Sequence, residues 1–188
     1  MDRIPKETRV PAQSAAAARL PGAYFHDAWA IEAACPDLDA LDQYLRVARQ
    51  TPRWIERLMA IRNRVVSRLG LKDLGGLSQL DPDKGAADYQ PGDRVGIFTL
   101  MAQSADEVLL GDRDRHLEVV VSVHKQTAGA NGAVVVTVST VVHVHNWLGR
   151  LYMVPVAPAH RVIAQAMTRV IGRDTGGRCG GLSRGCSG

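Results

Sequence analysis

Alternation of apolar and polar residues is the strongest pattern in the chain, and it lies in the second half. Between Ala133 and His145, Val134, Val136, Val138, Thr140, Val142 and Val144 fall on one side of an extended strand. Val135, Thr137, Ser139, Val141, His143 and His145 fall on the other. His116 to Lys125 repeats the pattern, with Leu117, Val119, Val121 and Val123 opposing Glu118, Val120, Ser122 and His124. Two shorter strands are predicted before them, Val95–Met101 and Glu107–Leu110, with Gly111–Asp114 as the turn into the third. A further strand is predicted over Tyr24–Ala33, where Phe25, Trp29 and Ile31 are the bulky members. The connections among the later strands are short, which implies an antiparallel meander.

Helical spacing fills the gaps. Leu38, Leu41, Tyr44, Leu45 and Ala48 share one face of a helix opened by Cys35-Pro36-Asp37, with Asp37 as cap. A second helix opens at Thr51-Pro52 and aligns Trp54, Ile55, Leu58, Ile61, Val65 and Leu69 up to Gly70. Arg53, Arg57, Arg64 and Arg68 occupy its other side, as a solvated face or as a site for an anionic partner. Residues 71–93 show no sustained period and form a long loop ending in the turn Pro91-Gly92-Asp93. The last element starts near Trp147. Pro155 and Pro158 mark a kink or restart before Val162, Ile163, Ala166, Met167, Val170 and Ile171 align over His160–Ile171.

An antiparallel sheet with one nearly apolar face must be covered, and the C-terminal helix is the available cover. The predicted class is α+β, a helix-grip arrangement in which a curved antiparallel sheet wraps a long C-terminal helix, with two helices after the first strand. Residues 21–172 form one domain, 1–20 a flexible arm without periodicity, and 173–188 a disordered Gly/Arg-rich tail.

The net charge of +4 does not alter this picture once it is located. Residues 21–171 hold sixteen basic and sixteen acidic residues, and the excess sits in the two end segments. That distribution does not describe a nucleic-acid groove, so no nucleic-acid partner is expected. No apolar stretch is long enough for a membrane span, and Ala15–Ala18 is too short for a secretory core, which makes the cytoplasm the expected location. Cys35, Cys179 and Cys186 match no common zinc spacing and are expected to be unpaired thiols.

Two clusters could carry chemistry. His143 and His145 stand on one side of a strand, the spacing that lets two imidazoles converge on a metal, and His124 with Glu118 lies on the equivalent side of the neighbouring strand. That side is the mixed face, away from the apolar side, so these are the residues that would hold a metal although none is expected. Arg150, Tyr152, His160 and Arg161 gather near the strand-to-helix junction. There Arg and Tyr could orient a carboxylate or enolate, with His160 as acid or base; the bland alternative is a set of bonds that tie a Pro-broken helix. No G-x-S-x-G, Walker A or H-E-x-x-H motif occurs.

The runs Y-x-P-G-D-R-V-G (Tyr89–Gly96), G-D-R-D-R-H-L-E (Gly111–Glu118) and H-N-W-L-G-R-L-Y-M-V-P-V-A-P-A-H-R (His145–Arg161) resemble the bacterial domain of unknown function 2867 family. The resemblance spans roughly residues 24–171. It implies a helix-grip fold of the START-like, polyketide-cyclase-like superfamily, and a family that occurs alone and also fused behind short-chain-dehydrogenase-like domains. No G-x-G-x-x-G follows a strand here, so the nucleotide-binding half of those fusions is not expected in this chain.

Three functions follow as expectations. The first is binding of a small hydrophobic molecule in a cavity between sheet and C-terminal helix. Ile97, Thr99, Val119, Val121, Val136 and Val138 would line the sheet side, and Met153 and Met167 the helix side, with Tyr152 as polar handle. The second is a cyclase/dehydratase- or isomerase-type enzyme using the His, Tyr and Arg groups. The third is an accessory role beside a dehydrogenase-like protein, or a homodimer. No cofactor is expected.

Overall fold

The apolar alternation becomes a seven-stranded, all-antiparallel sheet in the computed structural model, which describes residues 3–68, 76, 80, 81, 83–128 and 132–173. The strands are β1 (Lys6–Glu7), β2 (Phe25–Glu32), β3 (Arg94–Val95), β4 (Phe98–Gln103), β5 (Glu107–Arg113), β6 (Leu117–Ala128) and β7 (Ala133–Val144). Their order across the sheet is β1-β2-β7-β6-β5-β4-β3. The meander therefore runs from β3 to β7, and the first long strand closes onto the last. Three α-helices complete the fold: α1 (Ala40–Arg49), α2 (Arg53–Arg68) and α3 (Trp147–Ile171).

Register turns alternation into rows across the sheet. Asp27 lies beside Thr140, which lies beside Val121, which lies beside Leu110; the row below is Trp29, Val138, Val123 and Val108. This is the inner face. Here α3 lies over β2 and β7 while α1 lies over β5 and β6. Leu41, Tyr44 and Leu45 of α1, Val170 and Ile171 of α3, and Leu100, Leu110, Val123 and Val136 of the sheet form one core cluster. Burying side chains of this size contributes about 1.5–3 kcal/mol each relative to leaving them exposed, so this layer is the main support of the fold. The expected helix-grip arrangement is what the chain adopts.

Several elements differ from the sequence expectation for local reasons. The single strand over 95–101 is a hairpin, because Gly96 at φ +62° opens a two-residue turn that pairs Val95 with Phe98. The expected turn at Gly111–Arg113 is strand. Gly111 pairs there with Thr99 of β4 and Val120 of β6. α1 begins at Ala40 with Asp39 at the cap position, because Cys35–Leu38 is drawn into a turn whose Cys35 carbonyl accepts from the buried Gln43 side chain. Cys35 is disulfide-bonded, contrary to the free thiol expected; the other two cysteines and the tail beyond Arg173 lie outside the described residues, as do Gly70 and much of the 71–93 loop.

The segment read as an arm lies along the sheet. β1 pairs with β2, and Ala15–Arg19 forms a 3₁₀ turn on the outer face. Ser14 and Ser122 hydroxyls and the Ala15 amide all donate to the Glu107 carboxylate, at 2.5, 2.7 and 3.0 Å. Burial would raise the Glu107 pKa, but those three donors outweigh it and hold the carboxyl below its ordinary value. α3 is one continuous helix through both prolines, capped by the Asn146 side chain accepting from the Gly149 amide. Pro155 and Pro158 are exposed, so the carbonyls they leave without a helical donor face water.

Candidate functional site

The inner face is not wholly apolar, and its polar exceptions meet. In β2, Asp27 alternates in phase with Phe25, Trp29 and Ile31, which aims its carboxylate under α3. Thr140 is its neighbour on β7. α3 brings His160 over this pair, with Nε2 3.3 Å from Asp27 Oδ1 and 3.1 Å from Thr140 Oγ1. Trp29 Nε1 donates to the other Asp27 oxygen at 3.3 Å, and the Phe25 ring meets the His160 ring edge-on at 5.7 Å. The Asp27 side chain is 1% exposed, the His160 side chain 27%.

A carboxylate can only accept, so His160 Nε2 is the donor in this contact. An imidazole so oriented by a buried carboxylate, and still reached by solvent, has the arrangement of a general base or acid.

A second polar group stands deeper. Tyr44 on α1 belongs to the core cluster, yet its hydroxyl has no hydrogen-bond partner among the described residues. Burial raises its pKa far above the usual tyrosine value, with Tyr89 adding to the rise and Arg94 opposing it. The unsatisfied atom is therefore a neutral hydroxyl. On the far side of the face, the Asp112 side chain is 7% exposed and lies 3.3 Å from Arg94. Between these groups the helices leave the sheet partly open: Phe25, Phe98, Val119 and Val138 are each only half-buried.

The structure places the sequence candidates as follows. Val121 and Val136 are in the core cluster, and Val119, Val138 and Met167 pack against it. Met153 is buried on α3. Ile97 and Thr99 do not join them, because alternation in β4 sends Phe98 and Leu100 inward instead. Tyr152 is half-buried and accepts from Arg62 Nε at 2.9 Å, so it ties α2 to α3. Arg150 and Arg161 point outward from α3 and are exposed.

The histidine set does not converge. His143 Nε2 lies 2.8 Å from the Arg19 carbonyl, His145 is exposed, and His124 is buried beside Thr137 with Nδ1 unpartnered. Among the described residues no three His, Cys, Asp or Glu side chains are grouped to hold a metal ion. Nor is any helix among them long and apolar enough to cross a membrane.

Asp27, Thr140 and Tyr44 were missed as site residues. The first two carried a signal, each being the polar member of an otherwise apolar side of its strand.

No curated protein and no solved structure matches the chain. A family does. Residues 19–167, which hold the sheet from β2 to β7 and most of α3, match the protein of unknown function family DUF2867, and the chain belongs to that family.

Proposed function

We propose that the domain binds a small, mainly hydrophobic molecule against the inner face of the sheet. The observation that carries this reading is the Tyr44 hydroxyl, buried in an apolar cluster without a protein partner. Leaving such a group unsatisfied costs about 1–3 kcal/mol, which a ligand oxygen or nitrogen would recover. Half-buried Val119, Val138 and Met167 supply apolar contact, and His160 with Thr140 offers a polar edge. The helix-grip architecture supports this, since it sets a long helix across a curved sheet.

Tyr44→Phe is the test. It removes the unsatisfied hydroxyl, so the unliganded protein keeps or gains stability. Lipophilic compounds bearing one hydrogen-bond acceptor raise the melting temperature of the wild type and raise that of the variant less. Equal shifts in both, or no shift with any compound, would sink the reading.

The pairing of His160 with buried Asp27 favours a second reading, a cyclase/dehydratase- or isomerase-type enzyme that moves a proton on the bound molecule. His160 Nδ1 would take the proton while Asp27 holds the ring. Deuterium exchange at an acidic C–H of a bound ligand, followed by NMR, is then lost in His160→Gln while binding persists. Exchange that is unaffected refutes it.

A further inference from the structure

The near-neutral balance of residues 21–171 conceals a strong segregation. α2 and α3 together hold eight arginines and one glutamate, Glu56; the rest of that stretch holds eight basic and fifteen acidic residues. Among the described residues of the two helices the exposed arginines are Arg53, Arg57, Arg64, Arg150 and Arg161, and no exposed residue described there is acidic.

Among them lies apolar surface. On α3, Trp147, Leu151, Val154, Pro155, Pro158 and Val162 recur at spacings of three and four and are all exposed, Trp147 by 73% and Val154 by 68%. On α2, Trp54, Leu58 and Ile61 repeat the spacing and are likewise exposed. Of the four described members of the apolar stripe predicted for α2, Trp54, Leu58 and Ile61 are thus exposed and Ile55 is buried. The Arg62–Tyr152 hydrogen bond joins the helices one residue from Ile61 and one from Leu151.

We propose that this face docks on an anionic lipid surface. Helices that expose tryptophan and aliphatic residues among arginines, with no exposed carboxylate among their described residues, carry the composition that settles at a headgroup boundary. A second copy of the chain fits poorly, because self-pairing would set arginines against arginines. A dry protein interface fits poorly too: Pro155 and Pro158 leave the Leu151 and Val154 carbonyls without their helical donors on this exposed side, and a hydrated headgroup layer still supplies hydrogen bonds there.

The full chain is mixed with vesicles of phosphatidylcholine and, separately, of phosphatidylcholine with phosphatidylglycerol, and bound protein is sedimented. Binding is expected to the anionic vesicles only and to weaken with salt. Each arginine near the surface is worth about fivefold in partitioning, so Arg150→Gln with Arg161→Gln lowers binding roughly 25-fold. Trp147→Ala weakens it as well, and all three side chains are exposed, so melting temperatures should stay unchanged. No binding to anionic vesicles at low salt, or binding that the arginine variants leave intact, overturns the proposal. So does a concentration-dependent dimer in light scattering that Trp147→Ala dissociates. Binding to an acidic amphipathic peptide but to no vesicle also overturns it, and assigns the face to a protein partner.

Discussion

The Asp27–His160 pair makes an asymmetric prediction about stability. In His160→Ala the Asp27 carboxylate, 1% exposed, loses the imidazole donor and keeps Trp29 Nε1 at 3.3 Å. A hydrogen bond to a charged buried group contributes about 1.5–3 kcal/mol, and the aromatic contact with Phe25 adds about 0.5–1.5 kcal/mol. The 3.3 Å length and the 27% exposure of His160 argue for the lower half of that range, so a loss of about 2–3 kcal/mol is expected. Asp27→Asn keeps an oxygen for Trp29 Nε1 and turns its amide N–H toward His160 Nε2, which accepts in the other tautomer, and it removes a charge whose desolvation costs several kcal/mol, so its effect lies within about 1 kcal/mol of zero. In the double variant His160→Ala no longer strands a charge, and about 1–2 kcal/mol of the loss returns as coupling. Urea unfolding at neutral pH reads all four proteins, with midpoints compared at constant slope. If the two single variants are equally destabilised and the double variant is their sum, the pair is not coupled and Asp27 does not position His160.

Three further outcomes test the frame around the site. A Cβ at Gly149 would lie 2.5 Å from the His116 carbonyl oxygen and 2.8 Å from Val144 Cγ1, so Gly149→Ala is net destabilising by about 1–2 kcal/mol even though alanine favours helix by about 1 kcal/mol; thermal unfolding measures it, and a rise in melting temperature refutes the close approach. Because the Glu107 pKa is lowered in the folded chain, its contribution is present above the ordinary value of 4.5 and is lost as pH falls through the folded value. The protection factors of the Ala15 and Ala16 amides, taken against the intrinsic exchange rate at each pH, therefore fall on acidification below about 4.5, and Glu107→Gln flattens that response; a variant that keeps the full response shows that another group controls the segment. Cys35 is disulfide-bonded, so alkylation of the denatured, unreduced protein leaves Cys35 unlabelled in a peptide map, and labelling of Cys35 without reductant would contradict the bond.

Where one rule governed, the fold was legible in the sequence. Period-two alternation fixed the faces of β6 and β7, and the structure keeps those faces; helical spacing and the Thr51-Pro52 start located α2. The rule failed where a glycine had two possible physical causes. Gly96 in a run of strand formers is a turn because only its φ of +62° closes the hairpin, while Gly111 in a run of turn formers is strand because it pairs with Thr99 on one side and Val120 on the other. Each cause lies in a partner that a one-dimensional pattern does not name. α2 shows the same limit, since its stripe was legible but the exposure of Trp54, Leu58 and Ile61 was not.

The site was half legible for a related reason. His160 stood out by its place at the Pro-broken helix, but the acid that gives it chemical meaning lies on a strand far earlier in the chain. Asp27 was visible as the one charged member of the side holding Phe25, Trp29 and Ile31, and Thr140 as the one polar member of the Val134–Val144 side. A polar residue in phase with an apolar face must find a partner across the core or pay for its desolvation. Applied to β2, that requirement calls for a donor on the covering helix, and on α3 His160 supplies it. The same requirement applied to Tyr44 finds no donor or acceptor among the described residues. Of Asp27 and Tyr44, the first is therefore closed by the fold itself and the second is left for something outside it, which is why the ligand-binding reading rests on Tyr44 and the proton-transfer reading on His160.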